Sequence, residues 1–329
     1  MKIIDLFSGI GGFSLGFQRA GFHFTEHYFS EIDKHAIANY KQNFPNAKYI
    51  GDITTIQPAD IAGADIITFG SPCVDFSIAG KRAGLAGAKS SLIQYAIALI
   101  AHVRPSVFIW ENVKGAFSSN SGADFWAILQ AFANIGGYRL EWQLLNTSWL
   151  LPQNRERIYL VGHLAGRSIP GIFPIGENDF ISTKKTQSQS QMQISGIIKA
   201  NGNMNADDTY IIPKTASTLT GGGHSGGLHS DMTVIQQRSR GKNKGADLTI
   251  CPTISSNAFQ ENNLLCGVRR LTEIECERLQ GFPDNWTQYG NYNGRKRRIS
   301  KTQRYKLIGN AVTVDIVELI AKRLKFTEQ

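Results

Sequence analysis

Cysteine is scarce in this chain, with four residues in 329. No two cysteines form a C-x-x-C pair, and no histidines surround them at the spacing of metal ligands, so we expect no zinc or other metal site. So few cysteines in a chain of this length also exclude a disulfide scaffold. Their number is typical of a protein from a reducing compartment.

Long hydrophobic runs are missing as well, so we expect no membrane span. The N-terminal segment MKIIDLFSGIGG carries an acid inside its apolar run and glycines directly after it. It therefore does not read as a secretory signal peptide, and we expect a cytoplasmic protein. Acidic residues number only 26 against 35 lysines and arginines, which gives a formal net charge of +9. This excess favours a polyanionic partner such as nucleic acid.

The first half of the chain alternates short apolar runs with helical patterns. The runs predict strands at residues 2–7, 24–29, 48–50, 66–69, 107–110 and 157–161. Helical spacing of apolar residues lies between them, ending near residue 18 and covering 33–43 and 92–103. This alternation predicts an α/β fold, a parallel sheet with helices on both faces.

The composition changes near residue 166, after which Pro, Gly, Ser, Thr, Asn and Gln dominate. Short apolar pieces among these residues predict a loop-rich second domain with short strands. Helical patterns return at residues 271–279 and 313–324. The last of these is amphipathic, and we expect it to pack on the first domain.

A glycine-rich turn follows the first predicted strand, in the run Phe7-Ser8-Gly9-Ile10-Gly11-Gly12. Glycines at a helix N-terminus let a ligand approach the backbone closely. Glu31 follows the second strand, where it can accept hydrogen bonds from ribose hydroxyls, and Asp52 follows the third, where it can accept from an adenine amino group. The spacing is not G-x-G-x-x-G, which favours a nucleotide-like cofactor without phosphates. Helix capping by Glu31 and Asp52 is the alternative interpretation.

Reactive residue types follow the next strands. Cys73 lies beyond the fourth strand, in a segment whose basic residues favour the thiolate. Glu111 follows the fifth strand, and parallel neighbours end at the same edge of a sheet, so we expect it to face Cys73. Arg155 and Arg157 open a later strand on one face, where two arginines can clamp a carboxylate or a phosphate.

Eight segments occur in one order: DLFSGIGG, SEID, GDI, SPCVDFSIAGKRAGL, ENV, QNRERIYLVG, RRLTEIECERLQGFPD and IGNAVTVDI. In this order the sequence resembles the DNA (cytosine-5) methyltransferases of bacterial and phage restriction-modification type, over nearly the whole chain. The first three segments resemble the S-adenosylmethionine motifs, and the fourth resembles the nucleophile loop. Val74 and Ser71 depart from the family, which usually has glutamine after the cysteine and phenylalanine before the proline.

The resemblance implies a Rossmann-like methyltransferase domain with S-adenosylmethionine as its cofactor. The implied cofactor-binding residues are Phe7, Gly9, Gly11, Gly12, Glu31, Ile32, Asp52, Ile53, Pro72, Leu92, Asn310 and Ala311. Cys73 is the implied nucleophile that adds to C6 of cytosine, and Glu111 is implied to hydrogen-bond the N3 edge. Arg157 is implied to orient Glu111 and contact the base, with Arg155 behind it or facing the backbone. The target base must be flipped out of the duplex for this chemistry.

Double-stranded DNA is the implied partner, with a cognate restriction endonuclease as a possible second gene product. The family relation and the basic residues suggest DNA contacts at Ser77, Lys81, Arg82, Thr218, Thr253, Arg297 and Arg298. Arg297 and Arg298 belong to a stretch, 287–306, that has seven cations and no acid. Phosphate contact and a solvated linker are both open for this stretch. Thr218-Leu219 and Thr253-Ile254 are equal candidates for the dipeptide that anchors base recognition.

The predicted organisation is a catalytic and cofactor-binding domain at 1–170, completed by 308–329. A target-recognition domain at 171–286 and a basic hinge at 287–307 lie between them. Three other functions are open: a tRNA cytosine methyltransferase with the same cysteine mechanism, a catalytically silent DNA-binding relative, and a nicotinamide-dependent dehydrogenase. The roughly 120 residues between Gly166 and the basic stretch favour duplex DNA over tRNA, and intact Cys73, Glu111, Arg155 and Arg157 argue against a silent protein.

Overall fold

The fold is built on a central sheet of seven strands in the order β3-β2-β1-β4-β5-β7-β6. The computed structural model describes residues 1–71, 92–118, 122–176 and 269–327, with the backbone of five short strands between 192 and 265. The sheet strands are β1 Lys2–Leu6, β2 Glu26–Ser30, β3 Lys48–Tyr49, β4 Ile66–Gly70, β5 Val107–Val113, β6 Tyr138–Asn146 and β7 Glu156–Leu164. Strands β1 to β5 pair in parallel.

Helices cover both faces of this sheet. In chain order they are α1 Gly12–Arg19, α2 Lys34–Asn43, α3 Leu92–Val103, α4 Gly115–Ser118, α5 Ala123–Ala133, α6 Glu273–Leu279, α7 Lys301–Asn310 and α8 Val314–Arg323. Three-residue to four-residue 3-10 turns lie at Ile53–Thr55, Pro58–Ile61 and Thr147–Trp149. The expected α/β architecture is therefore confirmed.

Alternation along β1 explains how one strand serves two cores. Ile4 and Leu6 pack into the core beneath α3 and α5, whereas Ile3 packs into the core beneath α1 and α8. Because both faces of the strand are covered, β1 is an almost continuous apolar run. Asp5 is the exception, fully buried on the α1 face.

The last helix packs against the first, as its amphipathic pattern predicts. A Cβ built on Gly16 of α1 would lie 2.6 Å from Cβ of Val317 in α8. Only a glycine at position 16 therefore permits the observed approach of the two helices. In this way the C-terminal segment joins the N-terminal cofactor half, although 300 residues separate them in the sequence.

Two strands of the sheet run against the parallel arrangement. β7 pairs antiparallel with β5, and β6 pairs antiparallel with β7. Strand β6 and helix α5 were not predicted, yet each has a signal: residues 138–144 alternate apolar and polar, and Phe125, Ile128 and Phe132 lie on one buried helical face. The sheet is therefore mostly parallel, with an antiparallel edge formed by β7 and β6.

Small sheets complete the described residues. They contain β8 Ser168–Ile169, β9 Met192–Ile198, β10 Met204–Pro213, β11 Ile235–Gln237, β12 Ala246–Leu248, β13 Asn263–Leu265, β14 Arg269–Arg270, β15 Tyr289–Tyr292, β16 Arg295–Arg298 and β17 Lys325–Phe326. β15 and β16 form an antiparallel hairpin. The basic stretch 287–306 is thus a hairpin followed by a helix, not a solvated linker. The division into catalytic, target-recognition and hinge regions stays a prediction.

Candidate active site

The glycine-rich turn sits between the ends of β1 and β2. The Ser8 amide donates to the Ser30 carbonyl at 3.0 Å, which ties the turn to the end of β2. Gly11 is the N-cap of α1 with a φ of 84°, a left-handed conformation that favours glycine. A Cβ on Gly9 would meet no atom within 4 Å. The turn is therefore an open backbone surface at a helix N-terminus, which suits ligand binding.

Glu31 closes one side of this turn. Its Oε2 accepts from the Gly9 amide at 2.9 Å, and its Oε1 accepts from the amides of Ile32 and Asp33 at 2.7 and 2.9 Å. A carboxylate has about four acceptor positions, so Oε2 retains one for a ligand hydroxyl. The cap of α2 is Asp33, not Glu31, so the capping alternative is wrong for Glu31.

Asp52 does act as a cap, as the alternative interpretation has it. Its side chain accepts from the Thr54 amide at 2.9 Å at the start of the 3-10 turn. Ile53 is buried in the core beside it. Ile32, in contrast, is 72% exposed next to Glu31, an unusual position for a large apolar side chain. Ile32 is thus free to pack against an adenine-like ring.

Ser8 is a candidate that the sequence reasoning missed. Its hydroxyl is buried within the glycine turn and has no hydrogen-bond partner among the described residues. A buried hydroxyl without a partner costs free energy unless a ligand or water satisfies it. Together with the open Gly9 and the spare acceptor of Glu31, this hydroxyl fits a polar, nucleoside-like cofactor.

The C-terminal segment forms the second wall of the turn. The Trp286 indole donates to the Ile10 carbonyl at 2.9 Å. A Cβ on Gly12 would lie 2.6 Å from Val312 Cγ2. Asn310 is exposed and Ala311 is buried beside this contact. The structure therefore brings Asn310 and Ala311 to the glycine turn, and half-buried Leu92 packs with Phe7 against the neighbouring core.

The second part of the site centres on Glu111 at the end of β5. Glu111 is paired in register with Gly70 of β4 on one side and with Tyr159 of β7 on the other. A Cβ on Gly70 would lie 3.2 Å from Glu111 Oε2, so the glycine leaves room for the carboxylate. Glu111 is 8% exposed, and its Oε1 accepts no aligned hydrogen bond among the described residues.

Arg157 neutralises this carboxylate. Its Nε lies 3.1 Å from Glu111 Oε1, at an angle that does not form a hydrogen bond. Arg155, two residues earlier, turns to the backbone and donates to the Ala311 carbonyl at 2.7 Å. Burial lowers the pKa of Arg155 to about 10, and the positive charge of Arg157 acts in the same direction. Of the two arginines, Arg157 thus meets Glu111, whereas Arg155 faces the backbone, one of the two positions that the resemblance implies for it.

Ser71 precedes the nucleophile segment and is held from β5. Its Oγ accepts from the Trp110 indole at 3.1 Å, and its carbonyl accepts from the Asn112 amide at 3.0 Å. The hydroxyl thus has a polar role that the usual phenylalanine does not supply. The following residues lie outside the described part of the chain: Pro72, Cys73, Val74, Ser77, Lys81, Arg82, Thr218 and Thr253.

The basic hairpin β15–β16 divides its cations between two faces. Arg297 is paired with Gly290, which packs on Ala38 of α2, so Arg297 lies on the α2 side. Arg298 is paired with Tyr289 and lies on the opposite side, because neighbouring residues of a strand alternate. All four hairpin cations are exposed.

The helix that follows the hairpin uses its own cations internally. Arg304 is 7% exposed and pairs with buried Glu277 at 2.9 Å. Lys306 pairs with Asp33 at 2.7 Å. Both belong to the stretch 287–306, for which phosphate contact is one expectation. That expectation is wrong for Arg304, because its guanidinium pairs with a buried acid.

Membrane-spanning helices and metal-binding clusters are both absent from the described part of the chain. No helix there combines the length and the apolar composition needed to cross a membrane. No group of three or more His, Cys, Asp or Glu side chains there is arranged to hold a metal ion.

Comparisons with known proteins give a consistent result. A family model described as C-5 cytosine-specific DNA methylase matches residues 1–326. Type II methyltransferase M.HaeII of Haemophilus aegyptius is 34% identical over 97% of this chain and 91% of its own length. M.Bsp6I of Bacillus sp. (strain RFL6) is 29% identical over 98% of both chains.

A crystal structure of the Dnmt2 methyltransferase of S. pombe superposes with a TM-score of 0.58 at 19% identity, covering 97% of this chain and 96% of that one. At this identity the likeness concerns the fold. The family model spans nearly every residue of the chain. The chain belongs to the C-5 cytosine-specific DNA methylase family and is a DNA cytosine-5 methyltransferase.

Proposed function

We propose that this enzyme transfers a methyl group from S-adenosylmethionine to C5 of a flipped cytosine in a specific sequence of double-stranded DNA. The observation that carries the proposal is Glu111, a buried carboxylate beside Arg157 whose Oε1 has no aligned donor among the described residues. A buried acceptor in this state requires a polar partner. The exocyclic amino group beside N3 of an extrahelical cytosine supplies a donor, as does N3 itself once the adduct is protonated.

The cofactor would lie on the glycine turn. S-adenosylmethionine supplies an electrophilic methyl group on its sulfonium. Glu31 would hold the ribose through its spare acceptor position, and Ile32 would cover the adenine ring. Asp52 has one carboxylate oxygen that does not cap the 3-10 turn and could accept from the adenine amino group. Asn310, Ala311 and Ser8 would line the opposite side.

The nucleophile is Cys73. Its thiolate forms a bond to C6 of cytosine, and the ring electrons move to N3, which takes up a proton relayed from water through Glu111, so that Glu111 stabilises the protonated adduct. C5 thereby gains electron density and would take the methyl group as its bond to the sulfonium sulfur breaks, with S-adenosylhomocysteine as the leaving group. Loss of the C5 proton to a base or water, departure of the Cys73 thiolate and return of the N3 proton through Glu111 then restore the ring. This is covalent catalysis assisted by a positioned acid.

Arg157 would hold the Glu111 carboxyl group in place and contact the base. Arg155 would act from behind, because its guanidinium is committed to the Ala311 carbonyl. The glycine-rich segment that contains Ser77, Lys81 and Arg82 would close over the flipped base and contact the DNA backbone. Closure of such a loop excludes water from the reaction.

DNA binding would combine phosphate contacts with base contacts. Exposed cations of the hairpin, Arg297 and Arg298 among them, would contact phosphates and make binding dependent on salt. Base readout would come from the 171–286 region, anchored by Thr218 or Thr253. Type II relatives suggest a restriction partner, and a cognate endonuclease that cuts the same sequence would be that partner.

The test uses the full chain, S-adenosylmethionine and unmethylated duplex DNA, with the product digested to nucleosides and analysed by mass spectrometry. We expect 5-methylcytosine with the wild type and none with Cys73→Ala. The matched control is Cys276→Ala, since Cys276 is a buried cysteine in α6. Activity that survives Cys73→Ala would refute the mechanism. Methylation of tRNA but not of duplex DNA would favour the tRNA alternative, and inactivity on both would favour a silent DNA-binding protein.

A further inference from the structure

The turn between α7 and α8 is held by buried polar side chains that the proposed reaction does not use. Gln280, at the end of α6, donates from Nε2 to the Ile308 carbonyl at 3.3 Å. Thr313 Oγ1 lies 3.2 Å from Gln280 Oε1 and 2.8 Å from Thr147 Oγ1. All three side chains are at most 1% exposed. They link the end of β6 to the turn that carries Asn310.

The direction of these hydrogen bonds follows from proton counting. An amide oxygen only accepts, so Thr313 must donate its single hydroxyl proton to Gln280. The contact between the two threonine hydroxyls therefore needs the proton of Thr147. These contacts form a chain of hydrogen bonds that runs from Thr147 through Thr313 and Gln280 to the Ile308 carbonyl. Removing the hydroxyl of Thr313 breaks it at two points.

The Thr313 hydroxyl does not have the role that is usual for its position in the helix. Thr313 is the N-cap residue of α8, yet its side chain makes no cap hydrogen bond. A threonine hydroxyl at this position typically stabilises a helix by accepting a hydrogen bond from a backbone N–H of the first turn. Here the hydroxyl that would normally supply that stability bonds to Gln280 and Thr147 instead. Helix α8 therefore lacks a side-chain cap from Thr313, and the turn before it is held by the hydrogen bonds of the Thr313 hydroxyl.

The anchored turn borders the cofactor half of the site. Arg155 donates to the Ala311 carbonyl at 2.7 Å, and the Val314 amide donates to the Gln280 carbonyl at 3.0 Å. Val312 lies so close to Gly12 that a Cβ there would be 2.6 Å from its Cγ2. Any shift of the turn would therefore move the wall that faces the glycine turn.

We propose that Thr313 and Gln280 are positioning residues for the cofactor, and that their hydrogen-bond chain sets where Asn310 and Ala311 meet it. The proposal rests on the proposed function, because it takes S-adenosylmethionine to lie on the glycine turn. Neither residue touches the reacting atoms. The hydrogen-bond chain instead holds the turn in place before the cofactor binds. Less of the binding free energy of the cofactor is then lost to ordering the turn.

The test compares Thr313→Val, which keeps the shape but removes the hydroxyl, with Thr313→Ser, which keeps the hydroxyl. A third variant, Ile320→Val, destabilises the same helix from a buried position away from the turn. The dissociation constant of S-adenosylmethionine is measured by calorimetry on the full chain. The turnover number at saturating cofactor and DNA, and the melting temperature, are measured alongside it.

We expect Thr313→Val to raise the dissociation constant about tenfold, the effect of losing a buried hydrogen bond, while turnover at saturation changes less than threefold. Thr313→Ser and Ile320→Val should bind within about twofold of the wild type. An unchanged constant in Thr313→Val, or an equal loss in Ile320→Val, would overturn the inference alone. Failure of the wild type to bind S-adenosylmethionine would overturn the proposed function and the inference together.

Discussion

Arg157 and Glu111 form an ion pair in which Arg157 Nε and Glu111 Oε1 are close but not hydrogen-bonded. Nε of Arg157 lies 3.1 Å from Oε1 of Glu111, and the side chains are 13% and 11% exposed. The guanidinium therefore stabilises the position of the carboxyl group without occupying its hydrogen-bonding capacity. The acid is held in place and remains available to a ligand.

Because Arg157 is proposed to act through Glu111, the two residues should not have independent effects. We expect Glu111→Gln to lower the turnover number 10²–10⁴-fold, the range for loss of a general acid. Arg157→Ala should lower it about 100-fold in the wild type and only a few-fold in Glu111→Gln. A double-mutant cycle measured by methyl transfer at saturating substrates tests this. Fully additive losses would show that Arg157 acts separately.

Glu31 should control cofactor affinity rather than turnover. Its carboxylate accepts three backbone hydrogen bonds and retains one acceptor position, whereas the amide in Glu31→Gln can accept only at one atom. We expect the dissociation constant of S-adenosylmethionine to rise 10-fold to 100-fold, as for loss of a charged hydrogen bond of about 1.5–3 kcal/mol. The matched control is Glu26→Gln, which changes an exposed acid at the start of β2, the strand that Glu31 follows. Equal affinity in both variants would contradict the assignment.

Gly16 should tolerate no side chain, although alanine normally stabilises a helix by up to about 1 kcal/mol over glycine. A Cβ at this position would lie 2.6 Å from Val317 Cβ and Cγ1. We therefore expect Gly16→Ala to destabilise the protein by about 1–3 kcal/mol, the typical cost of overpacking. Combining it with Val317→Ala should recover part of the loss. Urea unfolding provides the measurement, and a stabilised single variant would contradict the packing seen here.

Asp5 should make the stability of the protein depend on pH. Burial raises its pKa from 3.8 to about 7, and the charge of Glu31 adds to the effect, while hydrogen bonds from Tyr40, Thr68 and Ser14 oppose it. His27, in contact with Tyr40 and Ser14, carries no compensating charge, since burial lowers its pKa to about 4.

A pKa that is higher in the folded state stabilises the fold below the unfolded value, and this contribution is lost as the pH rises through about 7. The wild type should therefore lose up to about 1.4 kcal/mol per pH unit relative to Asp5→Asn between roughly pH 4 and 7, and nothing further above that range. Urea unfolding of both proteins at several pH values gives the difference directly. A difference that is constant with pH would rule out this titration.

The hairpin β15–β16 should contribute to DNA binding mainly from the face that lies opposite α2. Lys296 and Arg298 lie opposite the α2 side, with Lys296 Nζ 4.5 Å from the centre of the Tyr289 ring. Replacing both by alanine should weaken binding at every sequence and reduce the slope of log affinity against log salt by about two. Arg295→Ala with Arg297→Ala is the charge-matched comparison and should have a smaller effect. A changed methylation motif in either variant would mean that the hairpin reads bases.

The sequence by itself determined the parts of the fold that local patterns specify. Apolar runs alternating with helical spacing predicted β1 to β5 and their helices, and strand ends located Glu31 and Glu111. These predictions succeed because buried parallel strands and glycine turns constrain neighbouring residues along the chain. The antiparallel edge of β6 and β7 follows from pairing, which alternation alone does not specify.

The tertiary structure decided which partner each polar side chain found. Arg155 and Arg157 look equivalent in the sequence, yet one binds the Ala311 carbonyl and the other Glu111. Arg304 looks like its basic neighbours, yet it pairs with buried Glu277. These outcomes depend on contacts between distant segments, and the cost of burying a charge without a partner selects among them. The sequence thus identifies the candidate site residues, and tertiary packing decides which polar side chains pair with one another.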